Sequence, residues 1–204
     1  MNLFHKTILS IWSLFYPLKI YGKENIPKNE GAVFVCNHFS ALDCGFIARA
    51  YNKDIFFLAK KELFDKKIIG SIIKGFGGIP VDRENPDIKS LFIATKVLKD
   101  NHKLAIFPEG TRNRTKTNQL QELKGGTVVF AIKAKCAIVP MMLDKKAKFL
   151  RRTNLIIGQP FYLDEFYGKK LTPELIDEIS QIVRDKMLEQ QEKLNEILDK
   201  KKKN

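Results

Sequence analysis

A five-residue apolar run at residues 32–36 ends in a polar turn that carries His38 and, five residues later, Asp43. Successive residues advance by about 100° around an α-helix, so on one continuous helix these two side chains would lie roughly 140° apart. The pair can meet only if His38 lies in the turn after a strand and Asp43 lies in the first turn of the next helix. The chain is therefore predicted to pass from a buried strand into a helix at this point.

His38 and Asp43 have the chemistry of a general base. A histidine beside a carboxylate removes a proton from a hydroxyl at neutral pH, and the carboxylate fixes the tautomer and stabilises the imidazolium. The same stretch also fits a structural role, since Ser40 and Asp43 form an S-x-x-D pattern typical of a helix start. In that interpretation His38 is an ordinary turn residue. Asp43 can fill both roles, and the pair alone does not choose between them.

Three further blocks lie along the chain. Residues 104–112, L-A-I-F-P-E-G-T-R, have the pattern of a buried strand that runs into a Pro/Gly turn carrying one carboxylate and one guanidinium. Residues 77–83, G-G-I-P-V-D-R, precede this block, and residues 137–140, A-I-V-P, follow it.

With N-H-F-S-A-L-D at residues 37–43, these blocks resemble the glycerolipid acyltransferase family. That family is marked by N-H-x-x-x-x-D, then G-x-x-x-x-R, then F-P-E-G-T-R, then a strand that contains V-P. All four blocks stand here in that order. The family often has Ser after F-P-E-G-T-R, whereas this chain has Asn113.

The resemblance implies a role for each charged residue of the blocks. His38 would be the general base and Asp43 its orienting carboxylate, with direct attack by the acceptor hydroxyl and no acyl-enzyme. Arg83 and Arg112 would hold the phosphate of the acceptor, because a guanidinium binds phosphate in a bidentate fork.

The F-P-E-G-T-R turn is expected to complete the site. Glu109 would orient one of the arginines or hydrogen-bond a glycerol hydroxyl, and a structural salt bridge is the alternative. Gly110 would let the backbone approach the ligand closely, and Thr111 would donate to phosphate or cap the turn locally. The family also has a lysine facing the phosphate pocket near Lys60 and Lys61, although either lysine can equally be a solvated surface residue.

The implied activity is transfer of a fatty acyl group to lysophosphatidate, which gives phosphatidate. The donor would be a thioester, either acyl-CoA or acyl-carrier protein, as a co-substrate with no other cofactor. Glycerol 3-phosphate and a lysophospholipid with a head group are the alternative acceptors. Two other classes stay open: a thioesterase that uses His38 and Asp43 to activate water, and a non-catalytic basic membrane-binding module.

The cysteines give no sign of a metal site or a disulfide. Cys36, Cys44 and Cys136 lack metal-like and disulfide-like spacing, so we interpret them as small buried side chains in a reducing compartment. Cys36 lies two residues before His38, on the same face of a strand. A thiol nucleophile is therefore an alternative to the general base.

The formal net charge of +13 indicates an acidic partner or surface. Nucleic acid is not favoured, because the sequence contains no recognition module, RNA-type aromatic motif or zinc-ligand spacing. An anionic membrane surface fits better, since basic residues accompany amphipathic apolar stretches. We expect a peripheral or monotopic protein on the cytoplasmic face of the membrane.

Residues 1–22 are predicted to form an amphipathic membrane-interface helix in front of an acyltransferase domain at residues 23–204. They contain no Asp or Glu. Six apolar residues share one helical face: Phe4, Ile8, Ile11, Trp12, Phe15 and Leu18. The uncharged run at 7–18 is shorter than the ~20 apolar residues of a span, and no signal-peptide cleavage site follows. A helix packed on the domain's own core is the alternative, and a second basic amphipathic patch at 66–76 is either core or membrane contact.

The rest of the chain alternates between strand and helix patterns, and its 204 residues suit one domain. Strands are predicted at 32–36, 55–58, 104–107, 137–143 and 154–157, and helices at 43–51, 88–100, 121–135 and 172–200, the last started by Thr172 and Pro173. This alternation predicts a single α/β domain with a mainly parallel mixed sheet flanked by helices. The resemblance implies the glycerol-3-phosphate acyltransferase-like form of that fold.

Overall fold

One sheet organises the chain. A computed structural model describes residues 3–51, 55–82, 88–115 and 119–203, with side chains in the first helix described from Thr7 onward. Within these residues the strands are β1 (Leu18–Tyr21), β2 (Ala32–Cys36), β3 (Ile55–Lys60), β4 (Gly78–Val81), β5 (Lys103–Ile106), β6 (Ala137–Leu143) and β7 (Thr153–Ile157). Their spatial order is β1-β7-β6-β2-β5-β3-β4.

The centre of the sheet is parallel and fully buried. β2 pairs in parallel with β5 on one side and with β6 on the other, and each residue of these three strands is buried. β6 and β7 pair antiparallel, which makes the sheet mixed. Apolar runs without alternation are typical of strands covered on both faces. The predicted mainly parallel mixed sheet is therefore confirmed.

Helices cover both faces of the sheet. They are α1 (Leu3–Phe15), α2 (Asp43–Tyr51), α3 (Lys67–Gly75), α4 (Ile88–Lys99), α5 (Gly126–Ala134) and α6 (Pro173–Lys203). Buried side chains of α4, α5 and α6 share one core cluster with one face of the sheet, whereas those of α1 and α2 share a second cluster with the other face.

The chain leaves β2 and β5 towards opposite faces of the sheet. β2 leads into α2 on one face, and β5 leads towards α5 on the other. Where neighbouring parallel strands diverge in this way, a crevice opens at their carboxyl ends, and ligands of α/β folds bind there. The loops that carry His38 and Glu109 follow these two strands, so the topology brings the two distant motifs to one edge.

Two strands and one helix were not predicted from the sequence, and another helix begins later than predicted. The strands are β1 and β4, and the helix is α3, which forms within the amphipathic patch at 66–76. β4 contains Pro80, which an edge strand tolerates because one side of its backbone is unpaired. α5 begins at Gly126 rather than residue 121. The preceding residues instead bind the turn after β5, where the Lys124 amide donates to the carbonyl of Pro108 at 2.8 Å.

The N-terminal helix is both packed and exposed. Leu9, Trp12 and Tyr16 pack against the core cluster shared with α2. On the other side Ile11 and Leu14 are 55% and 71% exposed. Of the predicted apolar face, Ile8, Ile11 and Phe15 are exposed together, whereas Trp12 lies on the packed side. Of the helices in the described part of the chain, none has the length and apolar composition needed to cross a bilayer.

The segment at residues 1–22 also includes an element of the sheet. Its residues 18–21 are β1, which pairs in parallel with β7 from Leu18↔Thr153 to Tyr21↔Ile156. The helix ends at Phe15, as Pro17 predicts. A cut after residue 22 would therefore remove an edge strand together with the helix.

The indole of Trp12 tests how firmly α1 is packed on the domain. Its ring lies 4.9 Å from that of Phe46, and a Cβ on Gly45 would lie only 3.1 Å from it. We expect Trp12→Ala to lower the free energy of unfolding by about 2 kcal/mol or more, because truncating a packed aromatic leaves a cavity. The matched variant Leu14→Ala should change it by less than about 0.5 kcal/mol. Chemical denaturation of both variants decides, and equal effects would contradict the packed orientation.

Candidate active site

His38 and Asp43 meet at the carboxyl edge of the sheet, as the spacing predicts. β2 ends at Cys36 and α2 begins at Asp43, so His38 lies in the connecting turn. The Nδ1 atom of His38 lies 2.9 Å from Oδ2 of Asp43. Since a carboxylate only accepts hydrogen bonds, Nδ1 carries the proton. Nε2 is then the basic nitrogen, and none of the hydrogen bonds of the described residues reaches it.

The Asp43 carboxylate is fully buried and surrounded by donors. Besides the imidazole, the backbone amides of Phe39 and Ser40 donate to Oδ2 at 2.6 and 2.7 Å. The Ser40 hydroxyl donates to Oδ1 at 3.0 Å. Hydrogen bonds of this number offset the cost of removing a carboxylate from water. The position of the acceptor for Nδ1–H is therefore fixed by three further contacts.

Asp43 makes the contacts of both interpretations left open by the sequence. Its bond to the Ser40 amide is the backward half of a capping box, and the Ser40 hydroxyl accepts from the Leu42 amide at 3.3 Å. Its bond to His38 has the geometry that would orient a general base. The residue at the helix start and the hydrogen-bond partner of the histidine are thus the same.

An aromatic ring holds the plane of the imidazole. Phe107, the first residue of the F-P-E-G-T-R block, stacks on His38 with ring centroids 3.9 Å apart and planes inclined by 16°. Sequence reasoning treated Phe107 as the end of a strand and missed this contact. The only available signal was its position in the family block.

Glu109 holds the backbone of the His38 turn. Its side chain is buried, and Oε1 accepts the His38 amide at 2.7 Å. Oε2 accepts the Gln121 amide at 3.3 Å. Burial raises the pKa of the Glu109 carboxyl, while the amides of His38 and Gln121 act in the opposite direction. Among the described residues, its hydrogen-bond partners are these two amides rather than an arginine.

Two asparagines that sequence reasoning gave no role also fix this turn. The Asn37 side chain donates to the carbonyl of Leu143 at 3.0 Å and accepts its amide at 2.8 Å, so it extends the pairing of β2 with β6. The Asn113 amide donates to the carbonyl of His38 at 2.7 Å. Both backbone groups of His38 are therefore bonded, one to the side chain of Glu109 and one to the backbone of Asn113.

The F-P-E-G-T-R turn becomes exposed at its end. Gly110 has φ 68°, a left-handed conformation that favours glycine. Thr111 and Arg112 are exposed. The charge of Arg112 is felt at Cys44, next to Asp43, where burial nevertheless raises the thiol pKa to about 12. Because the next residue, Asn113, donates its amide to the carbonyl of His38, the backbone of Arg112 lies beside the His38 turn.

The remaining predicted phosphate ligands are less defined. Arg83 lies outside the described residues. Asp82, which directly precedes Arg83, has its carboxylate 4.0 Å from the ammonium group of Lys61. The ammonium group of Lys60 lies 3.2 Å from the carboxylate of Glu62. Both lysines are exposed, and these contacts do not decide which one faces a ligand.

A thiol nucleophile is disfavoured. Cys36 is fully buried in the core cluster shared with α2. Burial raises its pKa well above the ordinary value, and the carboxylates of Asp43 and Glu109 add to the effect. A buried thiol of high pKa is inert. No group of His, Cys, Asp or Glu within the described ranges is arranged to hold a metal ion.

The chain is similar to known acyltransferases. A family model described as Acyltransferase matches residues 17–144. The 1-acyl-sn-glycerol-3-phosphate acyltransferase of Bacillus subtilis is 34% identical over 199 residues, which cover 92% of this chain and 94% of that protein. The protein of the same name from Streptococcus pneumoniae is 30% identical over 181 residues, and the match covers 85% of this chain and 66% of that protein.

A solved structure shows the same fold. The 1-acyl-sn-glycerophosphate (LPA) acyltransferase from Thermotoga maritima superposes with a TM-score of 0.65 at 24% identity. The match covers 91% of this chain and 76% of that one. The single layered α/β domain predicted from the sequence is therefore confirmed.

Glu109 offers a test of how the site is held. We expect Glu109→Gln to lower turnover in acyl transfer about tenfold or more, because the Gln amide group would face a backbone N–H and displace the His38 turn. Glu122→Gln, an exposed neighbour in the same loop, is the matched control. Steady-state kinetics on the folded variants measures the effect. Wild-type kcat in Glu109→Gln would show that its two amide bonds do not position His38.

Proposed function

The chain belongs to the acyltransferase family, and we propose that it moves a fatty acyl group from a thioester to the free hydroxyl of 1-acylglycerol 3-phosphate, giving phosphatidate. The names of the relatives support this acceptor. The observation that carries the chemistry is the bond from Nδ1 of His38 to Asp43, which leaves Nε2 as the free base. The chain is accordingly an enzyme of phospholipid biosynthesis, with acyl-CoA or acyl-carrier protein as co-substrate.

The proposed step is a direct transfer. Nε2 of His38 takes the proton of the acceptor hydroxyl as its oxygen attacks the thioester carbonyl. The imidazolium that forms is stabilised by the Asp43 carboxylate. When the tetrahedral intermediate collapses, the carbon–sulfur bond breaks and the leaving sulfur takes the proton from Nε2. The oxygen ester and the free thiol are the products, and His38 returns to its neutral form.

The acceptor phosphate is assigned to the two arginines of the family blocks. Arg112 is exposed and directly precedes Asn113, whose amide bonds the carbonyl of His38, which supports a position beside the reacting hydroxyl. Arg83 is proposed on the family block alone. Gly110 and Thr111 contribute the exposed backbone and hydroxyl of the same turn, whereas Glu109 acts by holding the His38 amide.

Membrane attachment through α1 is part of the proposal. The exposed side chains of Ile8, Ile11 and Leu14 face away from the packed core on a helix segment without acidic residues. An amphipathic helix of this kind lies in the interface and gains affinity from apolar burial and anionic lipid. We place the protein as a peripheral or monotopic enzyme on the cytoplasmic face, with its unpaired cysteines in a reducing compartment.

The function is tested by product formation with and without lysophosphatidate. We expect phosphatidate to form only when both substrates are present, and His38→Ala to reduce its formation by about 10²–10⁴-fold, the usual contribution of a general base. Asp43→Asn should lose less, since it disturbs the orientation of the base without removing it. Thioester hydrolysis that is equally fast without the acceptor would identify a thioesterase. Near wild-type turnover in folded His38→Ala would contradict the general base.

Arg112 is tested through the acceptor. We expect Arg112→Ala to lower kcat/KM for lysophosphatidate about 30-fold, a loss of about 2 kcal/mol in transition-state stabilisation, because truncation leaves the phosphate without its bidentate partner. Saturation by the acyl donor should change much less. Lys133→Ala removes an exposed cation from the last turn of α5, just before β6 starts at the other edge of the sheet, and is the matched control. An equal loss in the donor and acceptor constants of Arg112→Ala would assign it a structural role.

A further inference from the structure

The turn between β6 and β7 displays apolar side chains to water. Residues 145–152, K-K-A-K-F-L-R-R, carry five basic residues and no acidic one. Phe149 and Leu150 are 61% and 62% exposed. An exposed apolar patch rimmed by charged residues is typical of a surface that binds a partner or a membrane.

This turn is fixed to the end of α1. The ring of Phe149 stacks on Phe15 with centroids 5.6 Å apart and planes inclined by 14°. The Leu150 amide donates to the carbonyl of Phe15 at 2.7 Å, and Leu150 has φ 55°, a left-handed conformation uncommon for leucine. Phe149 and Leu150 are therefore held at the surface by specific contacts.

The turn and α1 form one continuous apolar surface. Phe15, which touches Phe149, is 42% exposed, and Leu14 beside it is 71% exposed. We call these residues, with Ile11, Phe149 and Leu150, the apolar tip. Since β1 and β7 both start at the edge where β6 ends, the apolar tip lies at the same edge of the sheet as His38.

Positive charge lies beside the apolar tip. A pocket of about 360 Å³ is lined by Phe39 and Asn113 of the active-site loops and by cations that include Arg114, Lys148 and Arg151. Asp144 precedes the turn, and its carboxylate bonds Asn154 at 2.7 Å and lies 3.4 Å from Lys145. The cations of the turn therefore outnumber the single acid at its base.

We propose that the turn at residues 145–152 is a second membrane-docking element, which inserts Phe149 and Leu150 into the interface of an anionic bilayer beside α1. Apolar side chains ringed by cations match a bilayer surface, where the tips enter the acyl boundary and the cations meet phosphates. Docking at this edge would place the pocket beside the active-site loops at the level of the lipid headgroups. The inference extends the proposed attachment through α1 and does not depend on the acyl-transfer chemistry.

A soluble anion fits the same cations less well. Binding of a phosphate-bearing small molecule would explain the positions of Lys148 and Arg151. It would not explain why the apolar side chains of Phe149 and Leu150 are exposed to water. A bilayer accounts for both the charge and the exposed apolar area. The bilayer is therefore the favoured partner, and the charge substitutions described below distinguish it from a soluble anion.

The first experiment is sedimentation of the full chain with vesicles of phosphatidylcholine containing phosphatidylglycerol. We expect Phe149→Ser/Leu150→Ser to weaken binding about tenfold, because the apolar part of the affinity scales with buried area. The matched control is Phe92→Ser/Ile93→Ser, on α4 at the opposite face, where these residues are 68% and 39% exposed. Leu14→Ser separately tests α1. Unchanged binding of the turn variant would overturn the proposal.

A fluorescent variant gives a positive readout that does not rely on loss. In a Trp12→Phe background, Phe149→Trp should shift its emission to shorter wavelength on vesicles and be quenched by lipids brominated near the headgroup. An emission unchanged by vesicles, in protein that sediments with them, would place the turn in water and overturn the proposal.

Charge substitutions separate the bilayer from a soluble anion. Lys148→Gln/Arg151→Gln should weaken binding to anionic vesicles and leave binding to pure phosphatidylcholine unchanged. Lys169→Gln/Lys170→Gln, exposed on another surface, is the control. Loss of affinity for coenzyme A with unchanged vesicle binding would instead identify a soluble-anion site and overturn the proposal. Activity on a short-chain soluble acceptor should persist in all these variants, so a failure of the acyl-transfer proposal is recognised separately.

Discussion

The candidate active site depends on one buried carboxylate. Asp43 accepts from the His38 imidazole, from two backbone amides and from the Ser40 hydroxyl. These bonds join the turn after β2 to the first residue of α2, so the geometry of the strand–helix connection and the tautomer of the histidine are set together. Any change that moves the carboxylate alters both the helix start and the base, because both use the same oxygen atoms.

Residues at the same edge of the sheet restrain His38 and leave its Nε2 atom without a hydrogen bond among the described residues. Its amide is held by Glu109, its carbonyl by the Asn113 amide, its Nδ1 by Asp43 and its ring plane by Phe107. Nε2 is the group left for a substrate. Such restraint favours catalysis, because a base held in the productive orientation loses little freedom in the transition state. The loops that follow β2 and β5 supply these partners, because both begin at the same edge of the sheet before the chain continues to opposite faces.

The sequence predicts local relations well and long-range ones poorly. The meeting of His38 and Asp43 follows from helix geometry over five residues, and the order of four blocks identifies the family. The partners of Glu109 could not be predicted, because they are backbone amides that carry no sequence signature. Edge strand β4 was missed because Pro80 argues against a strand, and the packed side of α1 depends on where α2 lies. The exposed position of Phe149 could not be predicted either, because it depends on a contact with Phe15, which is distant in the sequence.

The structure of the protein with lysophosphatidate bound, in the absence of an acyl donor, tests the central claim most directly. We expect the free glycerol hydroxyl to lie about 2.6–3.2 Å from Nε2 of His38, the range from which a base removes a proton. We also expect the phosphate to lie against Arg112, with the Nδ1 bond to Asp43 intact. A hydroxyl beyond the reach of Nε2, or a His38 ring turned so that Nδ1 faces the ligand, would contradict it.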